Sequence, residues 1–130
     1  MPPTVVHFYF DAGCAWTWVT SRWLVAAAAE RDLTITWHPY SLELKPGYHP
    51  ADQKREGFRQ SHRALRVLTR VRDELGNDAA GAFYAERGHR IFGGSGSSSD
   101  GDPAKVLAAL GLDPSYADAA DDEALDVLIR

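Results

Sequence analysis

The stretch Val5-Val6-His7-Phe8-Tyr9-Phe10-Asp11-Ala12-Gly13-Cys14-Ala15-Trp16-Thr17-Trp18 passes from one kind of backbone to another within a few residues. Val5 to Phe10 is rich in β-branched and aromatic side chains, as a strand requires. It is apolar on both faces apart from His7, which predicts a central strand buried on two sides. Asp11-Ala12-Gly13 is a turn signature. From Ala15 to about Arg31 the chain carries no Gly or Pro, and Leu24-Val25-Ala26-Ala27-Ala28-Ala29 consists mostly of strong helix formers. Leu33, Ile35 and Trp37 then alternate with Thr34, Thr36 and His38, the period of a second strand. The opening is therefore β-α-β, which normally yields two parallel strands.

Outward from this unit the pattern turns helical. Pro46, Gly47 and Pro50 mark residues 43–51 as a loop. A long helix is predicted from about Ala51 to Leu75, with Ala64, Val67, Leu68, Val71 and Leu75 on one face. Arg55, Arg59, Arg63, Arg66 and Arg70 fall in a narrow arc on the other side and read as a solvated face. A further helix is predicted from about Asp78 to Ile91. The Gly/Ser run at 93–101 is low in complexity and reads as mobile. Asp102-Pro103 is a helix start, with Asp as N-cap and Pro in the first helical position. Short helices are expected at Pro103 to Leu110 and Pro114 to Ala120. A last one is expected from about Asp121 and continues to the end. No later segment has a strand pattern. Two strands cannot form a sheet covered on both faces, so the expectation is an incomplete sheet: a truncated form, a homo-oligomer, or a sheet completed by a second chain.

The 130 residues fit one domain by size, and no apolar run approaches a membrane span. Met1-Pro2-Pro3-Thr4 lacks the basic start of a secretory signal, so a cytoplasmic location is expected. A net charge of −4, from 14 Lys+Arg against 18 Asp+Glu, excludes a globally basic nucleic-acid coat. The five histidines show no metal-ligand spacing. A single cysteine excludes an intrachain disulfide and a cysteine-based zinc site. Cys14 lies at the strand-to-helix junction, where unpaired N–H groups and the helix dipole favour thiolate over thiol. Two residues separate it from Thr17, whose hydroxyl can donate to a thiolate but cannot form a disulfide. Such a site needs an external thiol to resolve a mixed disulfide. Trp23 and Trp37 read as core residues and Trp16 as partly exposed. His38 and His89 are candidates to approach Cys14.

Phe8-Tyr9-Phe10-Asp11, Cys14-Ala15-Trp16-Thr17-Trp18 and Thr20-Ser21-Arg22-Trp23-Leu24 resemble the DsbA-type thioredoxin-fold oxidoreductases of actinobacteria. The resemblance is strongest to the mycothiol-dependent reductases, whose motif reads Cys-Pro-Trp-Cys-Trp. Ser41-Leu42, Arg55-Glu56-Gly57 and Gly88-His89-Arg90-Ile91 extend it. It implies an α/β, thioredoxin-like fold: residues 1–42 form the β-α-β start, and 43–130 form an inserted helical domain with the start of the return to the core. It implies that Cys14 is the nucleophile, with Thr17 and the N–H groups of Trp16 and Thr17 stabilising the sulfur anion. Ala15, Trp16 and Arg22 would bind substrate, and Arg90 would contact the polar groups of a thiol. Mycothiol or another small thiol is the expected co-substrate, with no tightly bound cofactor and a small disulfide or electrophile as substrate. Three departures stand out: Thr17 replaces the second cysteine, Ala15 replaces the usual proline, and no cis-proline loop can be assigned. The resemblance leaves open a kappa-class glutathione-transferase or 2-hydroxychromene-2-carboxylate-isomerase type enzyme, and an inactive interaction module.

Overall fold

The computed structural model describes residues 3–47, 52–94 and 98–129. Strand β1 (Thr4–Phe10) leads into helix α1 (Ala15–Glu30) and strand β2 (Leu33–Pro39). The strands pair in parallel, from Thr4 opposite Leu33 to Phe10 opposite Pro39. A short 3-10 turn, Leu42–Leu44, precedes helix α2 (Asp52–Leu75) and helix α3 (Asn77–Phe92). Between them Gly76, at φ 100°, takes a backbone conformation that side chains disfavour. Ala51, where the second helix was expected to start, lies outside the described residues. So do 95–97 of the Gly/Ser run, while Ser98–Gly101 forms a 3-10 turn.

Helix α4 (Pro103–Leu110) starts as its sequence predicts: the Asp102 carboxylate accepts from the Ala104 N–H and Pro103 opens the helix. Gly111 ends it in the left-handed conformation, at φ 68°. The two helices expected after it form differently. Pro114–Asp121 and Glu123–Leu128 are 3-10 segments, and Ile129 is already extended. Successive Asp N-caps at 113 and 122 restart the chain every few residues. This keeps each piece too short for an α-helix to propagate.

One face of the two-stranded sheet carries the core. Phe8 and Phe10 meet the Trp37 ring edge-on, and Phe10 packs on Tyr84 with centroids 4.1 Å apart. Trp18 from α1 closes the cluster from the side, edge-on to Tyr84. Helix α3 accommodates the two indoles by lacking side chains where they lie. A Cβ on Gly81 would run into Trp37, and one on Gly88 would run into the ring of Trp18. Among the described residues nothing covers the other face of the sheet. Val5 and Tyr9 are each 52% exposed, so β1 is not the doubly buried strand that its composition predicted.

Helix α2 buries Ala64, Val67, Leu68 and Val71 as expected, but Leu75, at its last turn, is half-exposed. The arginine stripe is not a solvated face along its C-terminal half. Arg63 pairs with Asp121, Arg66 with Asp126 and Arg70 with Asp122. Arg66 grips Asp126 through both Nε (2.8 Å) and Nη2 (3.0 Å), and donates to the Ala120 carbonyl. The other oxygen-sharing partner of Asp126 is the buried His62, whose Nδ1 meets the Ser41 hydroxyl at 2.8 Å. Paired arginines thus dock the last 3-10 segments along α2.

The Arg66 hydrogen bond holds the Asp126 carboxyl below its usual pKa, against burial. A carboxylate with a lowered folded-state pKa contributes stability above its unfolded value, near 3.9. That contribution is lost as pH falls through the folded value. Denaturant unfolding from neutral pH down to about pH 3 is therefore expected to show stability falling in the acid range. Arg66→Ala should cost about 1–2 kcal/mol at neutral pH and flatten that acid dependence. An unchanged pH profile in Arg66→Ala would contradict this role.

Candidate functional site

The site grows out of the turn between β1 and α1. The buried carboxylate of Asp11 accepts from the Gly13 N–H and, across the chain, from the Leu42 N–H, both at 2.8 Å. The Cys14 N–H donates to the Asp11 carbonyl at 3.1 Å, and the Trp18 N–H donates to the Cys14 carbonyl at the same distance. One residue therefore fixes both the turn before Cys14 and the loop after β2. Burial raises the Asp11 pKa, opposed by these two N–H groups and by the nearby Arg87 charge.

Cys14 is the N-cap residue of α1, with extended backbone angles (φ −93°, ψ 114°), and is half-buried. Its side chain makes no capping hydrogen bond. Gly13 lies so close to α2 that a Cβ there would run into the Ser61 hydroxyl. Ser61 in turn donates to the Gly57 carbonyl one helical turn back at 2.9 Å. Small residues on α2 thus let the Cys14 turn sit against the helix.

A cavity of about 550 Å³ opens at Cys14. Its walls are mainly apolar: Ala15, Trp16, Leu42, Phe58, Ile91 and Phe92, with Ser61 and Arg87 among the polar members. A cleft of this size takes a small molecule, with most of its contact apolar and a few polar groups fixing orientation. Trp16 stands 83% exposed at its rim. A second exposed indole, Trp23, is 69% exposed, so of the two tryptophans expected in the core only Trp37 is buried there. Trp23 lies on the outer side of α1 with Trp16 and Val19, away from Trp18 and Leu24.

The cation beside this cavity is Arg87, a residue that sequence reading passed over. Its guanidinium is buried, donating from Nη1 to the Ala12 carbonyl at 2.9 Å and from Nε to the Gly101 carbonyl at 3.2 Å. It thereby ties the Cys14 turn to the 98–101 segment. Burial lowers its pKa to about 10, with Asp11 pulling the other way, so it stays charged at neutral pH. The signal was present in the sequence. Phe83, Tyr84, Arg87 and Ile91 share one face of α3, and a lone arginine on an apolar stripe must find buried partners.

Cys14, Ala15 and Trp16 lie together at the cavity, and Thr17 follows them in the first turn of α1, half-buried. Arg22 is not among the residues lining this cavity. Its guanidinium stacks on the Trp18 ring, 4.2 Å from the centroid, and Nε donates to Ser21. Burial lowers its pKa, and its Nη2 has no hydrogen-bond partner among the described residues. Arg90 pairs with Glu86 on its own helix. Neither His38 nor His89 lines the cavity. His38 meets His7 across the strands at 2.9 Å, and His89 lies edge-on to Trp18. Among the described residues no helix is long and apolar enough to cross a membrane, and no group of three or more His, Cys, Asp or Glu could hold a metal ion.

The arrangement can present one thiol, at a helix N-terminus, to a small molecule in an apolar cleft. A model of a protein family, described as Rv2466c-like, mycothiol-dependent nitroreductase Rv2466c, matches residues 13–130. The match begins at the turn before Cys14 and takes in every helix that surrounds the cavity.

Proposed function

Because the chain belongs to the mycothiol-dependent nitroreductase family, an oxidoreductase family whose co-substrate thiol is mycothiol, we propose that it works as a one-cysteine reductase centred on Cys14. The observation that carries this reading is the placement of Cys14 at the mouth of the apolar cavity, with Thr17 one turn on. The fold is read as thioredoxin-like and DsbA-type, with residues 1–42 as its β-α-β start. Residues 43–130 are read as the inserted helical domain and the beginning of the return to the core.

In this mechanism two molecules of mycothiol supply two electrons. A nitro substrate accepts them with two protons and leaves as the nitroso compound and water. The Cys14 thiol and the first mycothiol thiol lose their protons and become a mixed disulfide. A second mycothiol attacks the mycothiol sulfur of that bond. It departs as oxidised mycothiol and returns Cys14 as thiolate. The helix N-terminus faces the anionic sulfur, and the N–H groups of Trp16 and Thr17 and the Thr17 hydroxyl, which make no hydrogen bond to the resting thiol, would turn to the anion as it forms. Trp16 stacks on the bound molecule, and Ala15 leaves it room. An internal dithiol cannot compete for the mixed disulfide, because position 17 carries a hydroxyl.

The test is anaerobic turnover of a nitroaromatic with mycothiol. Consumption of about two mycothiols per nitroso product is expected from this stoichiometry. No consumption, or full activity in Cys14→Ser, would overturn the reading. Bound mycothiol with no net oxidation would favour the isomerase or transferase type of chemistry, which suits a hydroxyl at position 17. A second check uses Thr17→Cys. Three residues after Cys14, on the same first helical turn, the new thiol should form an internal disulfide under mild oxidant, with both thiols lost to alkylation. Two free thiols after oxidation would contradict the placement of Thr17 beside Cys14.

A further inference from the structure

The buried His62 of α2 is bonded at both ring nitrogens to residues far from it in sequence. Nε2 meets the Asp126 carboxylate at 2.9 Å, and Nδ1 meets the Ser41 hydroxyl at 2.8 Å. Asp126 is gripped by Arg66 through both oxygens and is held as a carboxylate, which can only accept. Nε2 therefore carries a proton and donates to Asp126. In the neutral ring Nδ1 is then the acceptor, and the Ser41 O–H donates to it. Serine, histidine and aspartate also make the hydrolase triad, but the serine there sits on Nε2. Ser41 is only 2% exposed, so no substrate carbonyl reaches its hydroxyl. The three residues hold structure in place and do not attack a substrate.

What they hold leads to the thiol. Ser41 is followed by Leu42, whose N–H donates to the Asp11 carboxylate at 2.8 Å and which lines the cavity at Cys14. The other oxygen of Asp11 accepts from the Gly13 N–H, also at 2.8 Å. Cys14 is the next residue. A continuous path thus runs from Arg66 and Asp126 through His62, Ser41, Leu42 and Asp11 to the turn before Cys14. Every link in it is a bond already made. Asp11, Ser41 and His62 are all buried, where a hydrogen bond is stronger than in water and a missing one costs more.

We propose, resting on the reading of Cys14 as the reactive thiol, that His62 is a positioning residue for it. Through Ser41 it keeps the Leu42 N–H on Asp11, and Asp11 shapes the turn that presents the sulfur. The two ring nitrogens divide the work. Nε2 docks the last 3-10 segment on α2, and Nδ1 holds the site. Two amide side chains separate these roles. The polar atoms of an asparagine stand as many bonds from the backbone as Nδ1, and those of a glutamine as many as Nε2. His62→Asn therefore keeps the bond to Ser41 and gives up Asp126. His62→Gln keeps Asp126 and gives up Ser41.

The test reads two quantities in the wild type and both variants. One is exchange of the Gly13 and Leu42 amides, measured against the amides of α2. The other is the rate at which Cys14 forms a mixed disulfide with oxidised mycothiol. His62→Asn should keep both amides protected and react at nearly the wild-type rate, although it melts at a lower temperature. His62→Gln should open both amides and react about tenfold more slowly, as a displaced reacting group does. Ser41→Ala cuts the same link from the other end. It should behave as His62→Gln does, and it decides alone if His62→Gln does not fold. Equal rates in the two His62 variants overturn the proposal, because His62 would then act on stability alone. A slow His62→Gln with both amides still protected overturns it as well, because the slowing would not run through Asp11. A wild type that takes up no mycothiol sinks the reductase reading instead. The amides then decide for His62: opened in His62→Gln and closed in His62→Asn they support the path, and equally protected they overturn it.

Discussion

Cys14→Ser is expected to abolish mycothiol-dependent reduction, lowering turnover by at least about 10³-fold while leaving the melting temperature nearly unchanged. The alcohol is close to the thiol in size but is a far weaker nucleophile at neutral pH, and it cannot form a disulfide. Cys14 is half-buried and its side chain makes no capping hydrogen bond. Little packing or capping is therefore lost with the sulfur. The residues that shape the turn, Asp11 and Gly13, act through their own groups and remain in place. The comparison of activity with stability is what makes the test specific. Loss of both together would mean that Cys14 is a core residue, and retention of activity would move the chemistry elsewhere.

Gly88→Leu is expected to be the most destabilising single change away from the thiol. Its Cβ alone would run into the six-membered ring of Trp18, which is packed between Tyr84, His89 and Phe92. The indole has no room to withdraw, and Arg22 stacks on it as well. Overpacking on this scale costs about 3 kcal/mol, enough to consume much of the stability of a small domain. Thermal or denaturant unfolding reads it directly. Gly88→Ala should fall between the wild type and the leucine variant. Gly57→Ala, where among the described residues no heavy atom beyond the local helix backbone lies within 4 Å of the added methyl, should be neutral or stabilising. A Gly88→Leu protein as stable as the wild type would mean that Trp18 does not occupy that notch.

Much of the architecture was legible from local pattern. The β-α-β opening, the two long helices and the Asp102-Pro103 helix start follow from periodicity, helix propensity and capping, and they lie within a residue or two of expectation. What failed was whatever depends on a partner far along the chain. The composition of β1 suits burial on two faces, and among the described residues only one face has a neighbour. Arg63, Arg66 and Arg70 looked solvated because nothing local opposes them. Their carboxylate partners lie more than fifty residues away. Trp23 has the size of a core residue and the helical phase of an exposed one, and phase decided. At the site, Cys14, Ala15, Trp16 and Thr17 were found because they are contiguous. Arg87, Ser61 and Phe58 reach the cavity from α2 and α3, and their spacing in sequence carries no sign of that meeting.

Most directly, the chain can be treated with oxidised mycothiol and its intact mass measured, followed by mapping of the modified peptide. The account predicts one mycothiol per chain, attached to Cys14, stable in the absence of added thiol and removed by excess mycothiol. It predicts no adduct on Cys14→Ser. A folded chain that stays unmodified under conditions in which the same chain, unfolded, is modified at Cys14 would contradict the account.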